Sequence, residues 1–118
     1  MGANFSTHSV TIAESASLSS AADVGEFVIT AVSLPSSWDA APLTFQTSTD
    51  GTVWKELYFE SGGAPYQTAS AEASQHVPVP SDHEFKGVRF VKVRSGTAAA
   101  AVVQTAARTV VLYARRIY

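Results

Sequence analysis

The feature that most constrains this chain is the regular return of turn signals between short apolar segments. Asp50-Gly51, Gly62-Gly63 and Ser95-Gly96 each separate runs that are rich in β-branched and aromatic residues. Glycine reaches positive φ and aspartate can bond the backbone across a turn, so such pairs reverse an extended chain. No helical segments alternate with these runs to cover a parallel sheet. The pattern therefore predicts antiparallel strands joined by turns.

Alternation of apolar and polar residues gives the bounds of the expected strands. The predicted segments are 9–13, 26–34, 43–48, 52–59, 66–71, 76–80, 87–94 and 108–118. We expect a short strand or a loop at 14–24, and a short helix is an alternative for the Ala-rich stretch 97–107. About seven to eight such strands favour an all-β fold, an antiparallel β-sandwich of the jelly-roll or galactose-binding-like kind.

We expect a single domain over residues 1–118, because no linker or internal repeat divides the chain. Residues 1–8 are small and polar, and we interpret them as a flexible N-terminal arm or a first short strand. The strand segments with the strongest apolar pattern should supply the core. The predicted core residues are Phe27, Ile29, Val32, Leu43, Phe45, Leu57, Val88, Phe90, Val110 and Leu112.

Charge is scarce and unevenly distributed. Charged residues make up 15% of the chain, against roughly 25% in an ordinary domain. Residues 1–84 contain all ten acidic residues and one basic residue, Lys55, whereas residues 85–118 contain seven basic residues and no acid. One interpretation is cross-strand pairing within a subunit. A second is a salt-sensitive contact between an acidic and a basic face of neighbouring copies. Nucleic-acid binding is disfavoured, because aromatic residues are not interleaved with the basic ones.

The sequence offers no chemistry for catalysis. Cysteine is absent, which excludes a disulfide scaffold, a thiolate zinc site and a cysteine nucleophile. His8, His76 and His83 do not have the spacing of a metal site. No nucleophile elbow or phosphate-binding loop is present. We therefore expect no catalytic residue, no cofactor, no metal and no enzymatic activity.

Membrane insertion and secretion are not expected either. No apolar run approaches the length of a transmembrane helix. The first residues, Met1-Gly2-Ala3-Asn4, lack the basic start and apolar stretch of a signal peptide. We therefore expect a protein made in the cytoplasm.

The hairpin segment LTFQTSTDGTVWKELY, residues 43–58, resembles two groups of proteins. The first is the discoidin-like, galactose-binding-like β-sandwich modules, in which an apolar strand runs into Ser-x-Asp-Gly and an aromatic residue follows three positions after the glycine. Asp50 and Gly51 would form the turn, and Trp54 would fold back to cover it. This resemblance implies a carbohydrate-binding module for attachment to a host-surface glycan.

The second group is the small virion proteins of tailed phages and gene transfer agents. The similarity covers roughly residues 25–115 and rests on an ordered set of short motifs. These are Leu34-Pro35, Trp38, Ala40-Ala41, Leu43 to Gln46, Ser48, Asp50-Gly51, Gly87-Val88-Arg89, Lys92, Arg94-Ser95-Gly96 and Gln104 to Leu112. This resemblance implies a non-enzymatic structural protein on the capsid surface, as a head decoration or as the base of a head spike. Its implied partners are further copies of itself in a ring, the major capsid protein and a fibre or spike protein.

Four residues are candidate contacts for such a partner or ligand: Trp38, Tyr66, Arg89 and Arg94. Each also has a purely structural interpretation. Trp38 would cap one end of the sandwich, and Tyr66 would be an ordinary aromatic residue of the sheet surface. Arg89 and Arg94 would be solvated or paired across strands.

Overall fold

The computed structural model describes residues 5–25, 27–59, 62–81 and 83–116. Within them lie eight strands and one turn of 3-10 helix. The strands are β1 (Phe5–Ile12), β2 (Ala22–Asp23), β3 (Phe27–Ser33), β4 (Leu43–Ser48), β5 (Lys55–Glu56), β6 (His76–Pro78), β7 (Phe90–Ser95) and β8 (Arg108–Arg116), and the helical turn is His83–Phe85. The predicted all-β architecture is confirmed.

The strands form two antiparallel four-stranded sheets. The order in one, which we call the front sheet, is β1-β8-β3-β6, and the order in the other, the back sheet, is β2-β7-β4-β5. Four of the strand pairs correspond to one long hairpin whose chain reverses between β4 and β5. They are β1·β8, β2·β7, β3·β6 and β4·β5. The pairs β3·β8 and β4·β7 form when that hairpin wraps around itself. This wrapping is the jelly-roll form of the predicted sandwich.

The core lies between the two sheets and consists almost wholly of aliphatic and aromatic side chains. Seven of the predicted core residues are buried: Ile29, Val32, Leu43, Phe45, Leu57, Val110 and Leu112. Phe27 and Val88 are half-buried and pack against its margin, whereas Phe90 is half-buried outside it. The strand alternation used to predict the core therefore holds in most of the chain.

The register of β7 differs from the prediction. Val91 and Val93 are fully buried, whereas Phe90 lies on the opposite face of the strand, where its ring faces Gly51. Side chains alternate along a strand, so a shift of one residue exchanges the two faces. The apolar run Val88 to Val93 fits either register, and pairing with β4 selects the observed one.

Of the two interpretations of residues 1–8, the strand and not the flexible arm is correct for Phe5 to His8, which belong to β1 and pair with Ala114, Arg115 and their neighbours on β8. Residues 1–4 of the expected arm lie outside the described residues. The predicted segment 66–71 forms no strand, and only isolated bridges such as Ala41↔Ala71 occur there. The Ala-rich stretch 97–107 forms no helix and connects β7 to β8.

Candidate interaction surface

The turn residues of the β4–β5 hairpin occupy the positions that the sequence predicted. The Asp50 carboxylate accepts hydrogen bonds from the backbone N–H groups of Thr52, at 2.9 Å, and Val53, at 3.0 Å. These bonds hold the pKa of Asp50 below its usual range. The Ser48 hydroxyl accepts a bond from the N–H of Gly51, which has a φ of 81°. The hairpin is confirmed, with a wider loop than a two-residue turn because β5 begins only at Lys55.

Trp54 follows this loop and is half-buried. Its ring lies under the ammonium group of Lys92, 4.4 Å from the ring centroid. This cation–π contact places Trp54 on the outer face of the back sheet, beside the turn. The ring therefore packs against Lys92 on that face, while the side chain nearest Gly51 is that of Phe90.

Arg94 is buried and paired inside the subunit. Its guanidinium donates to both carboxylate oxygens of Glu56, at 2.6 and 2.7 Å, and Gln46 donates to the same carboxylate at 2.7 Å. The hydrogen bonds from Arg94 lower the pKa of Glu56, and those to Glu56 raise the pKa of Arg94. Arg94 is therefore not an exposed partner contact, and its cross-strand interpretation is the correct one.

Arg89 remains at the surface, with 60% of its side chain exposed. It donates two hydrogen bonds to Asp23, at 3.0 and 3.1 Å, and its guanidinium lies 5.2 Å from the centroid of the Phe90 ring. The bonds from Arg89 lower the pKa of Asp23. Because both side chains are exposed, this pair orients the arginine more than it stabilises the fold.

A third pair ties the β3–β4 connection to the β7–β8 connection. The Arg108 guanidinium lies 3.4 Å from the Asp39 carboxylate. Arg108 also donates to the fully buried Gln104 and to Thr105, and the backbone N–H of Asp39 donates to the same Gln104 oxygen. The backbone N–H of Thr105 is the main group that lowers the pKa of Asp39.

These three ion pairs each join an acid from residues 1–84 to a base from residues 85–118. The uneven charge of the sequence thus has a structural explanation. The jelly-roll wrapping brings distant parts of the chain side by side, and opposite charges meet across strands. The interpretation as pairing within one subunit is supported for Arg89, Arg94 and Arg108.

The two aromatic candidates, Trp38 and Tyr66, are buried and do not form an outer surface. Tyr66 packs edge-on against Phe45 and Phe85, with ring centroids 5.7 and 5.1 Å apart, and its hydroxyl bonds the backbone of Ser81. Trp38 joins the core, and its indole N–H has no hydrogen-bond partner among the described residues. The prediction of a surface role is wrong for both rings, because each packs into the hydrophobic core.

The outward side chains of the front sheet form the surface best suited to a partner, which we call the front face. On β1 these are Phe5, Thr7, Ser9 and Thr11; on β8, Thr109, Val111, Tyr113 and Arg115; and on β3 and β6, Ala31, Ser33 and His76. Arg115 is the one arginine, lysine, aspartate or glutamate in this set. The front face therefore consists mostly of small or β-branched side chains and is almost uncharged.

A shallow groove of about 410 Å³ crosses one end of the front face. Its walls are Phe5, which is 68% exposed, and Tyr113, whose ring stacks against His76 with centroids 5.1 Å apart. Ala31 forms the floor and Arg115 stands at the rim. An apolar cleft with aromatic walls and a few polar groups can hold a partner's side chain or a sugar ring.

The groove was not predicted from the sequence. Phe5 was assigned to an arm, and neither Tyr113 nor His76 was a candidate contact. The alternation of β8 carried a usable signal, because Val110 and Leu112 point inward and so place Tyr113 on the outer side. The groove on that outer side is formed together with residues of β1, β3 and β6. The local sequence pattern does not identify these strands as neighbours of β8.

Residues 5–25, 27–59, 62–81 and 83–116 contain no group of three or more His, Cys, Asp or Glu side chains that could hold a metal ion. No helix in the same part of the chain has the length and apolar character needed to cross a membrane. Comparison with known proteins finds no matching family model, no matching curated protein and no matching solved structure.

Proposed function

We propose that the protein is a non-enzymatic structural component of a tailed-phage or gene-transfer-agent particle, which decorates the capsid or forms the base that holds a head spike or fibre. The observation that carries the proposal is the front face, a broad and almost uncharged sheet surface with an aromatic groove. Depletion of charge and enrichment in aromatic residues are typical of the centre of protein–protein interfaces. An exposed surface of this kind in a small domain favours a binding role.

Two further arguments support the virion role. Jelly-roll sandwiches are recurrent units of viral capsids, although lectin domains use the same architecture. The motif order in residues 25–115 resembles that of small virion proteins, and several of those motif residues have structural roles here. Asp50 and Gly51 form the hairpin turn, and Arg94 pairs with Glu56.

The proposed partners are further copies in a homo-oligomeric ring, the major capsid protein and a fibre or spike protein. A ring needs two different patches of one molecule to meet. Because three of the basic side chains pair within the subunit, we propose that the front face supplies one of these patches. Opposite charges of neighbouring copies then contribute only at the rim.

The test is to purify particles from the source strain on a density gradient and to measure the protein by mass spectrometry and immunogold labelling. We expect a constant ratio to the major capsid protein and labelling at the particle surface. Tyr113→Thr should reduce incorporation, whereas Val103→Thr should not, because Val103 is an exposed apolar residue away from the groove. A protein that is abundant in the cytosol and absent from the particles contradicts the proposal.

A carbohydrate-binding module is the second candidate, and the stacked Tyr113 and His76 beside Arg115 favour it. Such a ring pair could hold one face of a sugar while the arginine bonds its hydroxyl or carboxylate groups. Titration with galactose and with glucuronic acid, followed by NMR, tests this candidate. Saturable shifts at Tyr113 and His76 that disappear in Tyr113→Thr support it, and unchanged spectra with both sugars count against it.

A further inference from the structure

The four edges of the sandwich differ sharply in how well they are protected. β2 and β5 are two residues long and carry Asp23, Lys55 and Glu56, and β6 is three residues long and contains Pro78. Short length, charge and proline are the usual means by which proteins block unwanted strand pairing. β1 has none of them. It is eight residues long, FSTHSVTI, without proline, glycine, lysine, arginine, aspartate or glutamate.

The open side of β1 can be assigned to particular residues. Thr11 bonds Ser20 on the side away from β8: its N–H donates to the Ser20 hydroxyl at 3.2 Å, and its carbonyl accepts from the Ser20 N–H at 3.0 Å. In an antiparallel pair the two backbone groups of a residue face the same side, and the side alternates along the strand. Ser9, Thr7 and Phe5 therefore also direct their N–H and C=O groups away from β8, where no described strand pairs with them.

We infer that this edge pairs with β1 of a second copy of the chain, antiparallel and about a two-fold axis at Thr7. In this register Thr7 lies opposite Thr7 of the second copy, and Phe5 lies opposite Ser9. Every open backbone group of the three residues then bonds across the axis. If the register were shifted by two residues, Thr11 would have to pair across the axis. Its N–H and C=O are not available for this, because both already bond to Ser20.

The composition of the edge favours a second copy as its occupant. Pairing about a two-fold axis places identical edge strands against each other. Like charges would then repel on a charged edge, whereas β1 has no lysine, arginine, aspartate or glutamate to repel its copy. Phe5, which is 68% exposed and the most exposed large apolar side chain among the described residues, would lie against Ser9 and Thr11 of the other subunit on the continuous outer face. The result is one eight-stranded sheet that crosses the dimer. This contact is closed and does not depend on a virion role.

Proline substitution distinguishes the two sides of the strand. In Thr7→Pro the lost N–H is the one that faces away from β8, so the subunit should fold while the dimer weakens. We expect the dissociation constant of the dimer to rise at least about tenfold, because two cross-axis bonds are lost. His8→Pro is the matched control, since its N–H faces β8 and its loss should destabilise the subunit itself. Sedimentation velocity over micromolar to millimolar concentrations and circular dichroism give the two readouts.

Thr7→Lys is a second variant that tests the dimer even if Thr7→Pro fails to fold. It keeps the backbone donor and places like charges opposite each other at the axis, so it should also give a folded monomer. Dimers that persist in both Thr7 variants would overturn the inference, as would a parent protein that stays monomeric throughout the concentration range.

Cross-linking tests the register directly, because the chain has no cysteine of its own. Across the axis the Cα atoms of Thr7 would be about 5.5 Å apart, within the range of a disulfide. Thr7→Cys should therefore oxidise to a covalent dimer. Thr11→Cys, on the same face of β1 but far from its copy, should do so at least about tenfold more slowly. Equal rates for the two variants would contradict the proposed register, whatever the particles contain.

Discussion

Arg94 and Glu56 lie on β7 and β5, and their side chains meet across the intervening strand β4. The arginine side chain is only 9% exposed and the glutamate side chain 31%. Two residues of β4 also contact the pair: the Thr44 hydroxyl accepts a hydrogen bond from Arg94, and the Gln46 amide donates one to Glu56. A cation in this position depends on its carboxylate, because little water can replace it.

Removing the charge of Glu56 should therefore destabilise the subunit. Glu56→Gln keeps the shape of the side chain but leaves the Arg94 cation without its counter-charge, and we expect a loss of about 1–3 kcal/mol. Urea unfolding followed by circular dichroism measures this loss. Glu14→Gln is the matched control, since Glu14 is exposed and should be nearly neutral. Equal midpoints for the two variants would show that the pair adds nothing to stability.

Reversing two basic residues should act on the fold and not only on assembly. Arg89→Glu with Arg94→Glu places a new carboxylate beside Glu56 and removes both in-chain pairs. The melting temperature should fall, chiefly because of the change at Arg94. The single variant Arg89→Glu should have a much smaller effect, because that pair is exposed. A double variant that melts like the parent would restore the idea that these residues serve contacts between copies.

Stability should decrease in acid for a reason visible in the hydrogen bonds. Asp23, Asp39, Asp50 and Glu56 all have a lowered pKa in the folded protein. The unfolded chain then binds protons at a higher pH than the folded one, so their contribution is present above the ordinary carboxyl pKa and is lost as the pH falls through the lowered one. The free energy of unfolding should thus decline from about pH 5 downward.

Asp50→Asn offers a test of this linkage. The amide oxygen can still accept the bonds from Thr52 and Val53, but it does not titrate. The variant should be close to the parent at low pH and should show a shallower decline of stability between neutral and acid pH. An unchanged slope would mean that the lowered pKa of Asp50 has no counterpart in stability.

The aromatic cluster predicts a contrast between two phenylalanines. Phe45 is fully buried against Tyr66 and Phe85, so Phe45→Ala should cost about 3–5 kcal/mol. Phe90 is half-buried on the outer face of the back sheet, and Phe90→Ala should cost clearly less. Denaturant midpoints compare the two. A larger effect at Phe90 would support the register first predicted for β7 and contradict the observed one.

The hairpin turn predicts a contrast between neighbouring residues. Gly51 has a φ of 81°, and a Cβ there would meet the Phe90 ring at 3.4 Å. Gly51→Val should lower stability by roughly 1–3 kcal/mol from backbone strain alone, and more than Asp50→Asn does, because asparagine keeps most of the turn bonds of aspartate. Thermal unfolding measures both. If Gly51→Val melts like the parent, the turn does not require the left-handed conformation.

Local pattern was sufficient for the fold class and for the best-defined hairpin. The alternation in Leu43 to Ser48 and the Asp50-Gly51 turn act over a few residues, so a sequence contains the whole of that signal. The same holds for most of the core, since seven of the ten predicted residues are buried.

Tertiary structure alone decided which side chains are buried and which lie at the surface. Arg94 and Tyr66 have ordinary surface-type sequence neighbours, and both are buried. Arg94 pairs with Glu56 and Tyr66 packs against Phe45 and Phe85, and each of these partners is distant in sequence or lies on another element. The groove between Phe5 and Tyr113 exists because the last described strand pairs with the first. Alternation determines that a side chain points to one of two faces. Which face is covered, and by what, depends on contacts between residues far apart in sequence, and a local pattern carries no information about those contacts.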